Sequence, residues 1–243
     1  MSRKFILAAV AAISLSLSGA AMAAGHNEMV PAHIAKAVAD ASRPEADTKR
    51  DADRKPGPIL AFAGVKAGDK VAELLPGGGY FTRLLSSAVG PTGAVYAAMP
   101  AADLAKAMAK GNVTPVLLSP ATFATPQPVD VMFTAQNYHD FHLKRLNLDV
   151  AAVNKALMGA IKPGGVLLVI DHAAAAGAPL EVADTLHRID PAKVRAELEA
   201  AGFKYEGELN ALRNPADDKT KGVFDASVRG KTDQFVYKFR KPA

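Results

Sequence analysis

The stretch Val71-Ala-Glu-Leu-Leu-Pro-Gly-Gly-Gly-Tyr80 decides the fold of this chain. Residues 71–75 form a predicted short buried strand, after which a proline and three glycines turn the chain into a helix. The helix is indicated by Phe81, Leu84, Leu85 and Ala88, which recur with the period of one helix face. A strand, a glycine turn and a helix open a nucleotide-type α/β domain, in which glycine lets a ligand approach the backbone closely.

The spacing of the glycines separates the candidate ligands. A dinucleotide fingerprint requires a third glycine that this loop lacks, and a P-loop requires a lysine that does not follow. The segment Glu73-x-x-Pro-Gly-Gly-Gly-Tyr80 instead resembles the first motif of class I S-adenosylmethionine-dependent methyltransferases. In that family the acidic residue faces the amino group of the donor, and the glycines lie against its amino acid and ribose. A tight turn in an unrelated α/β protein is the alternative interpretation.

The first 23 residues have the pattern of a signal peptide. A basic Ser2-Arg3-Lys4 segment precedes an apolar run at 5–17, and Ala21-Met22-Ala23 supplies the small residues of a cleavage site. The apolar run is shorter than the roughly 20 residues of a membrane-spanning helix. We therefore expect a periplasmic or secreted protein, cleaved after Ala23 and without a stable membrane anchor after cleavage.

Composition narrows the classes of partner. The formal net charge of +5 is spread along 243 residues without a block of basic and aromatic side chains, so we expect no nucleic acid partner. The chain has no cysteine, which excludes disulfides, thiolate metal sites and a cysteine nucleophile. We expect a small-molecule substrate.

Residues 24–66 are predicted to form a charged helical segment, either a solvated helix face or a cap over the cofactor site. Residues 67–243 alternate strands and helices as one α/β domain. This alternation predicts a parallel sheet with helices on both faces. Strands are predicted at 71–75, 94–98, 113–118, 129–134, 166–170, 203–209 and 234–239. Helices are predicted at 81–88, at 101–109, from an Asn147 N-cap through Ile161, and from Asp190-Pro191 to Gly202.

Polar side chains follow the fourth and fifth predicted strands, at 135–142 and at Asp171-His172. Ligands of open α/β sheets bind outside the carboxyl ends of the strands, so these side chains are candidates for a site. They could act as acids and bases, bind a metal through His139, His142 and Asp171 or His172, or cap loops. We expect acid–base chemistry without a metal, with His139 as the base, Asp140 orienting it, and His142 as a further catalytic candidate. His33 and His187 are predicted to be surface or structural residues.

Further segments extend the resemblance over the chain. Arg50-Asp-x-x-Arg54, Tyr138-His-Asp-x-His142, Leu186-His-Arg-Ile-Asp190 and Arg229-Gly-Lys-Thr-Asp-Gln-Phe235 are similar to an exported group of bacterial class I methyltransferases. The resemblance implies a Rossmann-like methyltransferase fold, a mostly parallel seven-stranded sheet of order 3-2-1-4-5-7-6 with an antiparallel last strand, and S-adenosylmethionine as the methyl donor.

The resemblance indicates the cofactor site, whereas the substrate candidates come from the strand ends and the charged tail. The cofactor-binding candidates are Glu73, Pro76, Gly77, Gly78, Gly79, Tyr80, Met99 and Asn137. The substrate-binding candidates are Tyr138, Asp171, His172, Arg213 and Arg229. The long charged loop before the last strand is predicted to be a lid over the acceptor or a plain hairpin excursion.

Two features depart from the family pattern. The second strand ends in Tyr96-Ala-Ala-Met99-Pro100, where an acidic residue normally binds the ribose hydroxyls, and the next acid is Asp103. In addition, the donor is made in the cytoplasm, whereas the signal peptide predicts export. These two departures leave an alternative open: the chain could be a non-catalytic periplasmic ligand-binding protein that retains the methyltransferase fold.

Overall fold

The computed structural model describes residues 30–107 and 109–243. The predicted signal peptide at 1–23 and the start of the predicted cap segment lie outside the described residues. None of the helices in the described ranges has the length and apolar character needed to cross a membrane.

One seven-stranded sheet organises the chain, in the order β3-β2-β1-β4-β5-β7-β6. The strand β7 is antiparallel to both of its neighbours, and the other pairs are parallel. This confirms the predicted sheet order and its antiparallel last strand. The strands are β1 (Lys70–Leu74), β2 (Ala94–Met99), β3 (Val113–Leu117), β4 (Val129–Ala135), β5 (Ile161–His172), β6 (Lys204–Glu208) and β7 (Gln234–Arg240).

Helices cover both faces of the sheet. The described helices are α1 (Ala32–Val38), α2 (Glu45–Thr48), α3 (Asp51–Arg54), α4 (Pro56–Ala63), α5 (Tyr80–Val89), α6 (Ala101–Leu104), α7 (Val150–Ala160), α8 (Val182–Leu186) and α9 (Pro191–Ala200). One core layer contains α1, α4 and α5, and the other contains α7 and α9. Leu167 and Leu168 of β5 face opposite layers, as a buried central strand requires.

Three local predictions were wrong. The helix predicted at 101–109 ends at Leu104, because most of its side chains are exposed and offer no apolar face for packing. The N-cap of α7 is Asp149, whose carboxylate accepts the backbone N–H groups of residues 151 and 152; Asn147 has a left-handed backbone instead. The strand β5 begins at Ile161, and its register shifts opposite Val129 before regular pairing resumes.

The N-terminal helical segment is bound to the start of α5. Asp51 accepts two hydrogen bonds of 2.7 Å from the guanidinium of Arg43 and one of 2.7 Å from the hydroxyl of Tyr80. Arg83 donates from Nε to Asp47 at 2.6 Å. Since Tyr80 and Arg83 belong to the helix that follows the glycine loop, these bonds hold the segment against that loop.

Arg188 holds the long loop before β7 in place. Its fully buried guanidinium donates to both oxygens of Asp217 at 2.8 and 3.1 Å and to the carbonyl of Ala173 at 3.0 Å. Its Nε donates to the carbonyl of Lys221 at 2.9 Å. The loop is therefore attached to the carboxyl end of β5.

We expect Arg188→Met to lower the free energy of unfolding by about 3–5 kcal/mol, because it leaves the buried carboxylate of Asp217 without its cation. Denaturant unfolding measures this change. Lys49→Met is the matched control, since Lys49 forms an exposed ion pair with Glu45 and should change stability by less than about 0.5 kcal/mol. Equal effects of the two substitutions would contradict a structural role for Arg188.

Candidate active site

A cavity of about 360 Å³ opens at the carboxyl ends of the central strands. It lies where β1 has β2 on one side and β4 on the other, so the strand order reverses there, and ligands of open α/β sheets bind at such points. The lining residues are Arg50, Arg54, Glu73, Leu75, Pro76, Gly77, Gly78, Tyr80, Phe81, Ala135, Gln136, Asn137, His139, Asp140, His172, His187, Val223 and Phe224.

The structure brings nine of the sequence-predicted site residues to this cavity. They are Glu73, Pro76, Gly77, Gly78, Tyr80, Asn137, His139, Asp140 and His172. Asn137 also fixes the glycine loop, because its amide nitrogen donates to the carbonyls of Leu75 at 3.2 Å and Ala135 at 2.7 Å. The ends of β1 and β4 are thereby tied together.

Strained backbone surrounds the cavity. Leu75, Gln136 and His187 have φ values of 52°, 65° and 53°, in the left-handed region that residues with a Cβ seldom adopt. All three line the cavity. Strain of this kind persists where the surrounding structure enforces it and clusters at functional sites.

Glu73 is a buried carboxyl group at the cavity. Its Oε2 accepts a 2.5 Å hydrogen bond from the hydroxyl of Thr82. Burial raises the pKa of Glu73 to about 8, although Thr82, Arg83 and Arg54 act in the opposite direction. The group is therefore mostly protonated at neutral pH until a cation approaches it.

This pKa predicts how stability depends on pH. Because the carboxyl of Glu73 has a higher pKa in the folded protein than in the unfolded chain, the folded state binds more protons, and this contribution to stability is lost as pH rises from about 5 to 8. Glu73→Gln should remove this pH dependence. The free energy of unfolding of the variant should therefore rise by about 2–4 kcal/mol relative to that of the wild type between about pH 5 and pH 8. Urea unfolding at several pH values measures the difference. Glu45→Gln, at an exposed position, should show no such trend.

Asp171 holds His139 from behind the cavity wall. Its fully buried carboxylate accepts three hydrogen bonds. They come from Nδ1 of His139 at 2.8 Å, from the backbone N–H of His139 at 2.7 Å and from the backbone N–H of His172 at 2.7 Å. Burial opposes ionisation, but the charge and hydrogen bonds of His139 outweigh it and keep the pKa of Asp171 below its usual value. The prediction that Asp140 orients His139 was therefore wrong, since Asp171 makes the orienting bonds.

The other ring nitrogen of His139 faces two further polar groups. Its Nε2 lies 3.3 Å from Nδ1 of His187 and 3.4 Å from Oδ1 of Asp140. Burial lowers the pKa of His139, but Asp171 and Asp140 outweigh it and raise the pKa above its usual value. His172 differs, because burial lowers its pKa to about 4; its Nδ1 lies 2.7 Å from the hydroxyl of Thr232.

Tyr138 and His142 point away from the cavity. His142 Nε2 lies 3.0 Å from Oε2 of Glu197 on α9, and the hydroxyl of Tyr138 donates to the same oxygen at 3.1 Å. Asn154 donates to the hydroxyl of Tyr138 at 2.8 Å. These two residues connect the turn at 138–142 to the helices beneath the sheet.

Four other predicted site residues do not line the cavity either. Gly79 is the N-cap of α5, and Met99 ends β2. Arg213 forms ion pairs with Glu208 at 2.6 Å and Asp233 at 2.9 Å, whereas Arg229 is exposed.

Several cavity residues were missed by the sequence analysis as individual site residues. Arg50 and Arg54 lie within a motif noted above, and their i,i+4 spacing places them on one helical face. Arg54 donates to Gln136 at 2.8 Å, and burial together with Arg50 lowers its pKa to about 10. His187 was expected to be a surface or structural residue, but it lines the cavity beside Phe224, at 4.9 Å between ring centres. No local pattern in the sequence indicates that contact.

Comparison with known proteins identifies the fold. No protein-family model and no curated protein matches the chain. Among solved structures, an S-adenosylmethionine-dependent methyltransferase from Aquifex aeolicus has a TM-score of 0.54 at 21% identity and covers 82% of this chain and 98% of its own. An arsenic(III) S-adenosylmethionine methyltransferase from Chlamydomonas reinhardtii has a TM-score of 0.55 at 17% identity, covering 88% and 74%. The cyclase SpnF has a TM-score of 0.54 at 15% identity, covering 79% and 81%.

The chain therefore has the Rossmann-like fold of class I methyltransferases, as predicted. Because a protein named as a cyclase matches as well as the methyltransferases do, the fold leaves the reaction open. The reaction has to be inferred from the side chains at the cavity.

Proposed function

We propose that this protein is an S-adenosylmethionine-dependent methyltransferase that acts on a small molecule. The observation that carries the proposal is that the buried carboxyl of Glu73 lines the cavity together with Gly77 and Gly78 of the glycine loop. Within the described part of the chain, no lysine or arginine forms an ion pair with Glu73. The ammonium group of the donor would supply that missing positive charge.

The same cavity offers a partner for the other charge of the donor. Arg50 and Arg54 also line the cavity, and their charge is opposite in sign to that of an ionised Glu73. Arg54 is partly buried. A guanidinium fits a carboxylate through paired N–H groups. We therefore assign the amino group of the donor to Glu73 and its carboxylate to the arginine pair.

His139 is the group placed to activate the acceptor. In methyl transfer the acceptor atom bonds to the methyl carbon as the carbon–sulfur bond breaks, and the electron pair of that bond stays on sulfur. A protonated acceptor must also lose a proton, which Nε2 of neutral His139 can take while Asp171 holds Nδ1. Most of the rate enhancement would come from aligning donor and acceptor in line.

Donor binding provides the direct test. Calorimetry should show that S-adenosylmethionine and S-adenosylhomocysteine bind, with proton release at pH 7 as Glu73 ionises. Gly78→Ala should weaken binding at least about tenfold, because a Cβ there meets no protein atom within 4 Å and enters the ligand space instead. Gly159→Ala, also without a neighbour for its Cβ but away from the cavity, is the matched control. Absence of binding of either compound at millimolar concentration would refute the proposal.

Two histidines of one turn should behave differently. His139→Ala should lower turnover about 100-fold or more while donor affinity changes little, because it removes the group beside the acceptor. His142→Ala should instead lower the free energy of unfolding by roughly 1–3 kcal/mol, because it removes one of the two groups that bond to Oε2 of Glu197 and leaves only Tyr138. Single-turnover kinetics and denaturant unfolding separate these effects. Purely destabilising effects of both substitutions would argue against a catalytic role.

A non-catalytic ligand-binding protein is the second candidate. It is favoured by the end of β2, where Met99 stands instead of an acid and does not line the cavity. The basic, apolar and small-residue segments of residues 1–23 support export to the periplasm, where the donor would have to be supplied. Turnover with any acceptor that is abolished by Gly78→Asp would exclude this candidate.

A further inference from the structure

Three potential metal ligands meet at one wall of the cavity. They are His139 Nε2, His187 Nδ1 and a carboxylate oxygen of Asp140, and all three atoms lie within 4.8 Å of one another. Nε2 of His139 is at the centre, 3.3 Å from the nitrogen of His187 and 3.4 Å from the oxygen of Asp140.

The two distances from His139 Nε2 match the coordination shell of a small divalent ion. Zinc binds nitrogen and oxygen at about 2.0–2.2 Å in tetrahedral geometry, which places neighbouring ligand atoms about 3.3–3.6 Å apart. Two imidazole nitrogens at 3.3 Å must also have a proton or a cation between their lone pairs.

Neighbouring side chains contact both rings. Asp171 accepts a hydrogen bond from His139 Nδ1–H, so the lone pair of the neutral ring is on Nε2, the nitrogen that faces the cluster. A buried carboxylate behind a histidine is the usual second partner of a metal-binding imidazole. The ring of His187 packs edge-on against Phe224, at 4.9 Å between ring centres.

We propose that His139, Asp140 and His187 bind a divalent transition-metal ion, with zinc the best match to two imidazoles and one carboxylate. The fourth position would face the cavity. The ligand set considered from the sequence included His142. In the structure Nε2 of His142 contacts Glu197, so His142 is not part of this cluster.

The role of such an ion rests on the proposed methyltransferase function. An acceptor oxygen or thiol bound at the fourth position would lose its proton more readily, because the cation stabilises the resulting anion. In the metal-bound protein His139 is a ligand, and its proton-accepting role belongs to the metal-free protein. Metal binding itself requires neither donor nor acceptor.

The test is a titration of zinc alone into untagged, chelator-treated protein, followed by calorimetry. We expect one ion per chain. Asp140→Asn and His187→Gly should each lower the affinity at least about tenfold, and glycine is chosen because it tolerates the left-handed backbone at 187. Asp171→Asn should lower it about 10- to 100-fold without removing a ligand. His33→Gln is the matched control, because His33 bonds to the carbonyl of Val65 away from the cluster and should change nothing.

Cobalt substitution gives a second readout, since bound Co²⁺ should show a visible absorption spectrum that His187→Gly abolishes. Absence of stoichiometric zinc binding, or unchanged affinity in both Asp140→Asn and His187→Gly, would overturn the metal site. Because no donor is present in the titration, that result would leave donor binding intact. Failure of donor binding in protein that still binds zinc would instead overturn only the methyltransferase function.

Discussion

The carboxylate of Asp171 is the group on which the arrangement of the site depends. It lies near the end of the central strand β5, fully buried, and a bare charge there would be unstable. Three N–H donors from His139 and His172 satisfy it, two from backbone and one from an imidazole. The carboxylate thereby fixes both the path of the turn after β4 and the ring that this turn presents to the cavity.

The glycine loop is fixed from the same side. Asn137, two residues before His139, donates to the carbonyl of Leu75 at the start of that loop. The donor side and the histidine side of the cavity are therefore coupled through one short segment. The left-handed backbone at Leu75 and Gln136 is the cost of bringing the segments this close.

The sheet and half of the residues that line the cavity could be predicted from the sequence. Residues 71–80 predict a strand, a glycine turn and a helix because each has its own local signal, and the resemblance supplied the strand order. His139 ranked above His142 in the prediction from the sequence, but both were catalytic candidates. The sequence could not exclude His142, since in a turn of five residues the direction of each side chain depends on tertiary partners such as Asp171 and Glu197. His187 lies 48 residues from His139, and only the folded chain brings the two together.

Burial shifts the pKa values of two groups at the cavity in opposite directions. Burial raises the pKa of Glu73 to about 8 and lowers that of Arg54 to about 10, so each charge is less favourable there than in water. A ligand that carries both an ammonium and a carboxylate would relieve both effects at once, whereas a singly charged ligand would relieve only one. The methionine part of S-adenosylmethionine has this pair of charges. Groups held in an unfavourable charge state beside a cavity are characteristic of binding sites, and a zwitterionic ligand would match the signs of these two groups.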